Sequence, residues 1–212
     1  MLGIISAGVA PALALMSFFY LKDKITEPIP LILRTFIFGG LLVFPIMFLQ
    51  YAFESDQIGN LFVQSFFVVA FLEEFFKWFV FMYIIYQHTQ FSAHYDGIVY
   101  AVSISLGFAT VENILYLLVN GIEYAFTRAL FPVSSHALFG VIMGYYFGKA
   151  KMYPVNRAVN IILALVIPIA LHGIYNFILG YVTKNWALYV IPFMILLWFF
   201  GLHRVKIARA SS

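Results

Sequence analysis

Apolar stretches of about 20 residues recur along the whole of this chain, and a helix of that length crosses the hydrocarbon core of a bilayer. Of the 212 residues, 64% are hydrophobic and only 10% are charged, whereas a soluble domain carries about 25% charged residues. These features predict an all-α fold, a polytopic transmembrane helix bundle. We expect a single integral membrane domain, 1–212, with no room for a sizeable soluble domain.

Hydropathy and helix-breaking residues divide the chain into about seven predicted spans. A count of six or eight stays open, because the fifth predicted span is short and the seventh is rich in aromatic residues. The predicted spans are 3–20, 31–53, 61–86, 97–119, 131–148, 158–180 and 186–203.

The distribution of lysine and arginine predicts the orientation, because cytoplasmic segments carry an excess of these residues. If the N-terminus is outside and the C-terminus cytoplasmic, the outer segments carry only Arg128 and Lys184. The cytoplasmic segments then carry Lys22, Lys24, Arg34, Lys149, Lys151, Arg157, Arg204, Lys206 and Arg209. Membrane orientation therefore accounts for the net charge of +3, which does not indicate a nucleic-acid partner.

The stretch FLEEFFKWF (71–79) places two carboxylates and an ammonium inside an aromatic run within the third predicted span. Ionisable groups in a span are unfavourable by roughly 2.5–3.5 kcal/mol each, so they indicate a functional site. Lys77 lies four residues after Glu73 and three after Glu74, within pairing reach on a helix. A structural ion pair that fastens two helices would explain one glutamate but would leave the second without a counter-charge. Two adjacent carboxylates can instead supply a base and an acid together.

Further polar residues lie in three other predicted spans: Glu112, His136, His172 and Asn176. Glu112 could instead be a hydrogen-bonded packing residue, and His136, near the outer end of its predicted span, could simply be solvated. His172 and Asn176 are four residues apart and share a helix face. All four lie in the outer halves of their spans, whereas the glutamate pair lies near the midplane. We therefore expect one buried polar site that opens to the extracytoplasmic side.

This set of groups can activate a water molecule and stabilise an oxyanion, as amide hydrolysis requires. Histidine and glutamate are also ordinary zinc ligands, but the HEXXH pattern of zincin proteases is absent. The chain has no cysteine, which excludes a thiolate nucleophile or a thiolate metal site. Two other classes stay open: a proton- or ion-coupled transporter, which would favour inverted repeats that we do not find, and a non-catalytic membrane scaffold.

Four motifs resemble those of the PrsW family, bacterial intramembrane proteases of the CAAX prenyl protease and ABI superfamily. They are EEFFK (73–77), FATVE (108–112), the histidine of SSHALFG (134–140) and HGIYN (172–176). The resemblance covers roughly residues 60–180, which would form the catalytic core. Each motif alone is weak, but four in the same order within membrane spans are a specific signal.

The resemblance implies roles for these residues. Glu73 and Glu74 would supply the base that activates water, His136 and His172 would orient water or polarise the scissile carbonyl, and Asn176 would donate to an oxyanion. Glu112 stands where the prenyl-protease relatives have histidine, and Lys77 stands one position before their arginine and would pair with a glutamate.

The resemblance also implies a substrate and a cell location. It indicates site-1 cleavage of a single-span anti-sigma factor on the extracytoplasmic side of the bacterial cell membrane, which releases a sigma factor under envelope stress or antimicrobial peptides. We expect a glutamate mechanism without a metal cofactor, although the histidines and glutamates could also hold a divalent metal. The sequence does not specify an oligomeric state.

Overall fold

The computed structural model describes residues 1–24, 26–55, 59–182 and 184–212. All the regular structure in these ranges is helical. The α-helices are α1 (Leu2–Tyr20), α2 (Ile29–Leu41), α3 (Val43–Ser55), α4 (Leu61–Val63), α5 (Leu72–Ile84), α6 (His94–Asn120), α7 (Ala125–Arg128), α8 (Ser134–Met152), α9 (Arg157–Tyr181) and α10 (Ala187–Ala210). Two π-helical segments (Gln64–Phe71 and Ala129–Val133) and two 3₁₀ turns (Ile122–Tyr124 and Pro154–Asn156) join some of them.

Six helical segments of the described chain are long and apolar enough to cross a membrane. A seventh runs over residues 61–84 through α4, the first π-helical segment and α5, and it carries Glu73, Glu74 and Lys77. These segments confirm the prediction of a bundle of about seven transmembrane helices. The predicted bounds of the fifth span, 131–148, are wrong, since the helical run covers Ile122–Met152.

Helices α6 and α8 form the centre of the bundle, and the other helices surround them. In the segment that contains α8, 83% of the most apolar 18 residues are buried. The corresponding fraction is 22–39% in the segments that contain α1, α2, α9 and α10. Glycine lets the two central helices approach closely, because a Cβ atom on Gly144 would lie 2.2 Å from the carbonyl oxygen of Gly97. Small residues at a helix interface are the usual means of tight packing in a membrane.

Three crossings contain an interruption, and two of these interruptions lie directly before polar side chains of interest. Helices α2 and α3 are separated at Leu42, three residues before Pro45, whose missing N–H interrupts the hydrogen-bond pattern of a continuous helix. The two π-helical segments end just before Leu72 and Ser134, immediately upstream of the glutamate pair and of His136. A π-helical segment adds residues to the turn and rotates the following side chains, and such segments are frequent at functional sites.

Candidate active site

Glu73, Glu74 and Lys77 lie in the first two turns of α5, in the middle of the third crossing. Glu73 is 6% exposed, and Glu74 and Lys77 are completely buried. The three charges are therefore held inside the bundle, where an unpaired ionic group would be strongly destabilising.

The ammonium of Lys77 contacts both carboxylates. Its Nζ atom lies 2.8 Å from Glu74 Oε1 and 3.5 Å from Glu73 Oε2. It also lies 4.2 Å from the centre of the Phe108 ring, on α6. The expected pairing of Lys77 with a glutamate is present, but one lysine serves both glutamates, so its single positive charge offsets only one of the two carboxylate charges.

His172 on α9 is joined to the same cluster. Its Nδ1 atom lies 3.0 Å from Glu74 Oε1, and because a carboxylate oxygen accepts, Nδ1 carries the donated proton. In a neutral ring the other nitrogen, Nε2, is then an acceptor. The imidazole stacks on Phe139, with ring centres 5.0 Å apart, which fixes its orientation.

His136 on α8 connects the cluster to Glu112 on α6. Its Nδ1 atom is 3.2 Å from Lys77 Nζ and its Nε2 atom is 3.0 Å from Glu112 Oε2. An ammonium can only donate, so Nδ1 accepts and Nε2–H donates to Glu112. The expectation that His136 lies near the outer surface is wrong, because the helical run begins at Ile122 and leaves this histidine only 4% exposed.

Two residues that sequence reasoning did not assign to the site complete its polar contacts. Gln50 Nε2, on α3, lies 3.2 Å from Glu73 Oε1. Arg128 Nη2, on α7, lies 2.9 Å from Glu112 Oε1, and Arg128 Nε is 3.1 Å from Asn113 Oδ1. Gln50 is an amide in an otherwise apolar span and could have been noticed for that reason. Arg128 lies in a predicted outer segment, where a basic residue gives no sign of a contact with Glu112.

Asn176 is the predicted site residue that does not join these contacts. It lies one turn after His172 on α9, and its Nδ2 atom is buried without a hydrogen-bond partner among the described residues. The second carboxylate oxygen of Glu74, Oε2, is likewise buried and unpartnered among them. The site therefore contains an unused amide donor and an unused carboxylate acceptor.

Four of these side chains form a donor set that fits a divalent cation. Glu73, Glu74, His136 and His172 each offer a ligand atom, and these atoms lie within 4.8 Å of one another. Two carboxylates and two imidazoles are ordinary ligands of zinc. Three of the four donors contact the ammonium of Lys77, so a metal ion and this ammonium would compete for the same atoms.

The arrangement can carry out acid–base chemistry on a water molecule. It combines two carboxylates, two imidazoles with assigned donor and acceptor nitrogens, and a fixed positive charge, contributed by three different crossings. A cavity of about 260 Å³ reaches Glu112 from the side of α3 and is lined by Met47, Leu115 and Tyr116 as well. The polar cluster is thus close to the bundle surface at Glu112, whose side chain is 33% exposed.

Comparison with known proteins identifies relatives over almost the whole chain. Residues 27–201 match the family described as PrsW family intramembrane metalloprotease. A protein named Protease PrsW from Oceanobacillus iheyensis is 62% identical over 100% of this chain and 99% of its own length. The Protease PrsW of Bacillus subtilis is 54% identical over 100% and 98%, and that of Geobacillus kaustophilus is 52% identical over 100% and 95%. No solved structure matches the chain.

Proposed function

Because this chain belongs to the PrsW family and is an intramembrane protease, we propose that it makes the site-1 cut in a single-span anti-sigma factor on the extracytoplasmic side of the cell membrane. Membership of a protease family sets aside the transporter and scaffold alternatives. The observation that carries the proposed chemistry is the buried contact of Lys77 with both Glu73 and Glu74, next to two histidines from other helices.

Glu73 is the proposed base. Glu74 Oε1 is held at 2.8 Å by Lys77 and at 3.0 Å by His172, so its charge is closely paired. Glu73 is held less tightly, at 3.5 Å from Lys77 and 3.2 Å from the amide of Gln50. It is also the more exposed of the two carboxylates. Glu73 is therefore the carboxylate with more freedom to bind a water molecule and take its proton.

The reaction proposed is direct hydrolysis. Water gives a proton to Glu73 while its oxygen bonds to the carbonyl carbon of the scissile peptide, and the carbonyl oxygen becomes an oxyanion. Asn176 Nδ2 is the unpartnered donor available to stabilise that charge. The three N–H groups of Lys77 already serve Glu73, Glu74 and His136. The carbon–nitrogen bond then breaks as the proton passes from Glu73 to the leaving nitrogen, which gives a carboxylic acid and an amine.

The other residues have supporting roles in this proposal. Lys77 offsets one of the two negative charges of the glutamate pair, His172 holds Glu74, and Glu112 holds His136 in the tautomer whose Nδ1 is unprotonated. A divalent cation held by Glu73, Glu74, His136 and His172 would supply a Lewis acid for the carbonyl and for a bound water.

The proposed orientation, N-terminus outside and C-terminus cytoplasmic, is supported by the basic residues at one end of the bundle. Lys22, Lys24, Lys206 and Arg209 line a single cavity at that end. Arg128 lies near the first residue of its own crossing, Ile122–Met152, which is the predicted outer end of that crossing. A reporter enzyme fused after Ser212 should therefore report a cytoplasmic location, and an outside location would overturn the proposed side of cleavage.

Reconstitution in lipid vesicles with a purified single-span substrate tests the reaction. The wild-type protein is compared with Glu73→Gln, Glu74→Gln and His172→Ala, and cleavage is followed by electrophoresis and mass spectrometry. We expect cleavage by the wild type and a loss of at least about 100-fold in Glu73→Gln, since a general base contributes roughly 10²–10⁴-fold. Equal cleavage by all four proteins would contradict the glutamate mechanism.

A further inference from the structure

Another cavity borders Arg128, the residue that pairs with Glu112. Its volume is about 350 Å³, within the roughly 300–1,000 Å³ range of clefts that hold small ligands. Aromatic side chains make up most of its walls. The cavity, called the aromatic cavity below, is lined by Tyr116, Tyr124, Arg128, Phe131, Tyr175 and Trp186 among others.

Tyr175 contributes a hydroxyl group that nothing in the described chain uses. The residue is only 5% exposed, and its Oη atom is buried without a hydrogen-bond partner among the described residues. A buried polar group without a partner destabilises a fold by about 1–3 kcal/mol. Such a group in the wall of a cavity indicates a ligand that supplies the missing hydrogen bond.

One side chain, Arg128, links the aromatic cavity to the candidate active site. Arg128 lines the cavity and donates to Glu112 at 2.9 Å, and Glu112 in turn accepts from His136 at 3.0 Å. The guanidinium also stacks over the Tyr116 ring at 4.2 Å, which holds it in place. Tyr175 itself is three residues after His172 on α9. A peptide lying in the cavity would therefore be one side chain away from Glu112 and about one helical turn away from His172.

We propose that the aromatic cavity is the subsite for an aromatic or large aliphatic side chain of the substrate adjoining the scissile bond, with the Tyr175 hydroxyl donating to a backbone carbonyl of the same residue. This inference rests on the proposed protease reaction and identifies what the enzyme selects. The walls favour an apolar side chain, because Phe131 and Trp186 pack edge-to-face at 5.4 Å and offer ring surface. A substrate carboxylate there would compete with Glu112 for Arg128.

Two variants separate binding of the substrate from structural effects. Tyr175→Phe removes only the hydroxyl, and Tyr181→Phe on the same helix is its control, since Tyr181 is 71% exposed. We expect Tyr175→Phe to raise KM about tenfold with kcat within twofold, because one lost hydrogen bond acts on ground state and transition state alike. Tyr181→Phe should match the wild type.

Thr127→Trp tests the specificity of the cavity. Thr127 lines the cavity and is exposed, so a larger side chain can enter the space without disturbing the core. Substrates that differ in one residue next to the cleaved bond, phenylalanine, leucine, alanine or aspartate, are compared. We expect the wild type to prefer phenylalanine and leucine by about tenfold, and Thr127→Trp to prefer alanine.

The possible failures of the two proposals can be told apart. If the wild type cleaves none of the substrates, the proposed function fails. If cleavage depends on Glu73 while Tyr175→Phe leaves KM unchanged and Thr127→Trp keeps the wild-type preference, the proposed function stands and the subsite assignment is overturned.

Discussion

The ammonium of Lys77 lies 3.2 Å from Nδ1 of His136, although the two residues are on different helices and 59 positions apart in the chain. Because an ammonium only donates, this contact fixes the histidine as an acceptor at Nδ1 and a donor at Nε2. Lys77 thereby links the glutamate pair of α5 to Glu112 on α6 through a single imidazole. The ammonium of Lys77 therefore contacts Glu73, Glu74 and His136 directly, and His136 in turn contacts Glu112.

Lys77 lies closer to Glu74 than to Glu73, so we expect substitutions of the two glutamates to lower the stability of the fold by different amounts. Glu74→Gln removes the negative charge closest to the completely buried Lys77 and leaves a neutral amide oxygen to accept from His172. Breaking a buried ion pair destabilises by roughly 3–5 kcal/mol. Glu73→Gln leaves the 2.8 Å pair intact and should lower the unfolding temperature much less. Both variants should lose proteolysis.

Thermal unfolding in a mild detergent measures the difference. Glu123→Gln is the matched control, because Glu123 is an exposed carboxylate in the 3₁₀ turn before α7, and its unfolding temperature should equal that of the wild type. If Glu73→Gln were as destabilised as Glu74→Gln, the assignment of Glu74 as the structural partner of Lys77 would be wrong.

The contact of Glu112 with His136 predicts a positioning role. Glu112→Gln keeps a hydrogen-bond acceptor for Nε2 of His136 but gives up the charge that pairs with Arg128. Mutations of partners that orient a metal-ligating histidine typically reduce activity or metal affinity by about 10–100-fold, and Glu112 orients His136 by the same kind of contact. We expect a loss in that range, smaller than that of Glu73→Gln, and a larger loss for Glu112→Leu. Cleavage rates on one substrate give this order, and a Glu112→Leu variant as active as Glu112→Gln would contradict it.

Much of the architecture can be predicted from local patterns in the sequence. Apolar length and the rarity of charge are sufficient for the transmembrane bundle, because each crossing must satisfy its own backbone hydrogen bonds as a helix. The charged residues of 71–79 are identifiable in the same way, since ionic groups are rare inside a membrane span. The contacts between Lys77, Glu73 and Glu74 follow from helical spacing alone.

The parts of the site that the sequence does not predict depend on tertiary packing. The depth of His136 depends on where its helix begins, and the π-helical segment Ala129–Val133 with Pro132 extends that helix beyond the predicted span. Arg128 reaches Glu112 only because α7 folds over the end of α6, and Gln50 reaches Glu73 only because α3 packs beside α5. Hydropathy contains no information on which helices are neighbours.

The position of the Lys77 ammonium predicts competition with metal ions. Three of the four donors that could hold a divalent cation contact this ammonium. Lys77→Met removes the charge and keeps an unbranched side chain, so we expect the purified variant to bind Zn²⁺ at least tenfold more tightly than the wild type. Calorimetry in detergent measures the affinity. Lys184→Met, at an exposed position away from the cluster, should bind like the wild type. Equal affinity in Lys77→Met would show that the four residues do not bind zinc as a set.

Glu27, in the loop between α1 and α2, predicts a pH-dependent stability that is independent of catalysis. Its side chain is 6% exposed, and burial raises its pKa from 4.5 to about 8, although the hydrogen bond from Tyr100 acts in the opposite direction. An acid whose pKa is higher in the fold stabilises the fold in its protonated form. That contribution is complete below about pH 4.5 and is lost as the pH rises through about 8.

Glu27→Gln removes this pH dependence, because the amide stays neutral at every pH. We expect the unfolding temperature of the wild type, measured relative to that of Glu27→Gln, to fall as the pH rises from about 5 to about 8 and to level off above that. Glu123→Gln, compared in the same buffers, should track the wild type, since that carboxylate is exposed. A difference between wild type and Glu27→Gln that stayed constant over this range would mean that Glu27 keeps the same protonation state in the folded and unfolded protein.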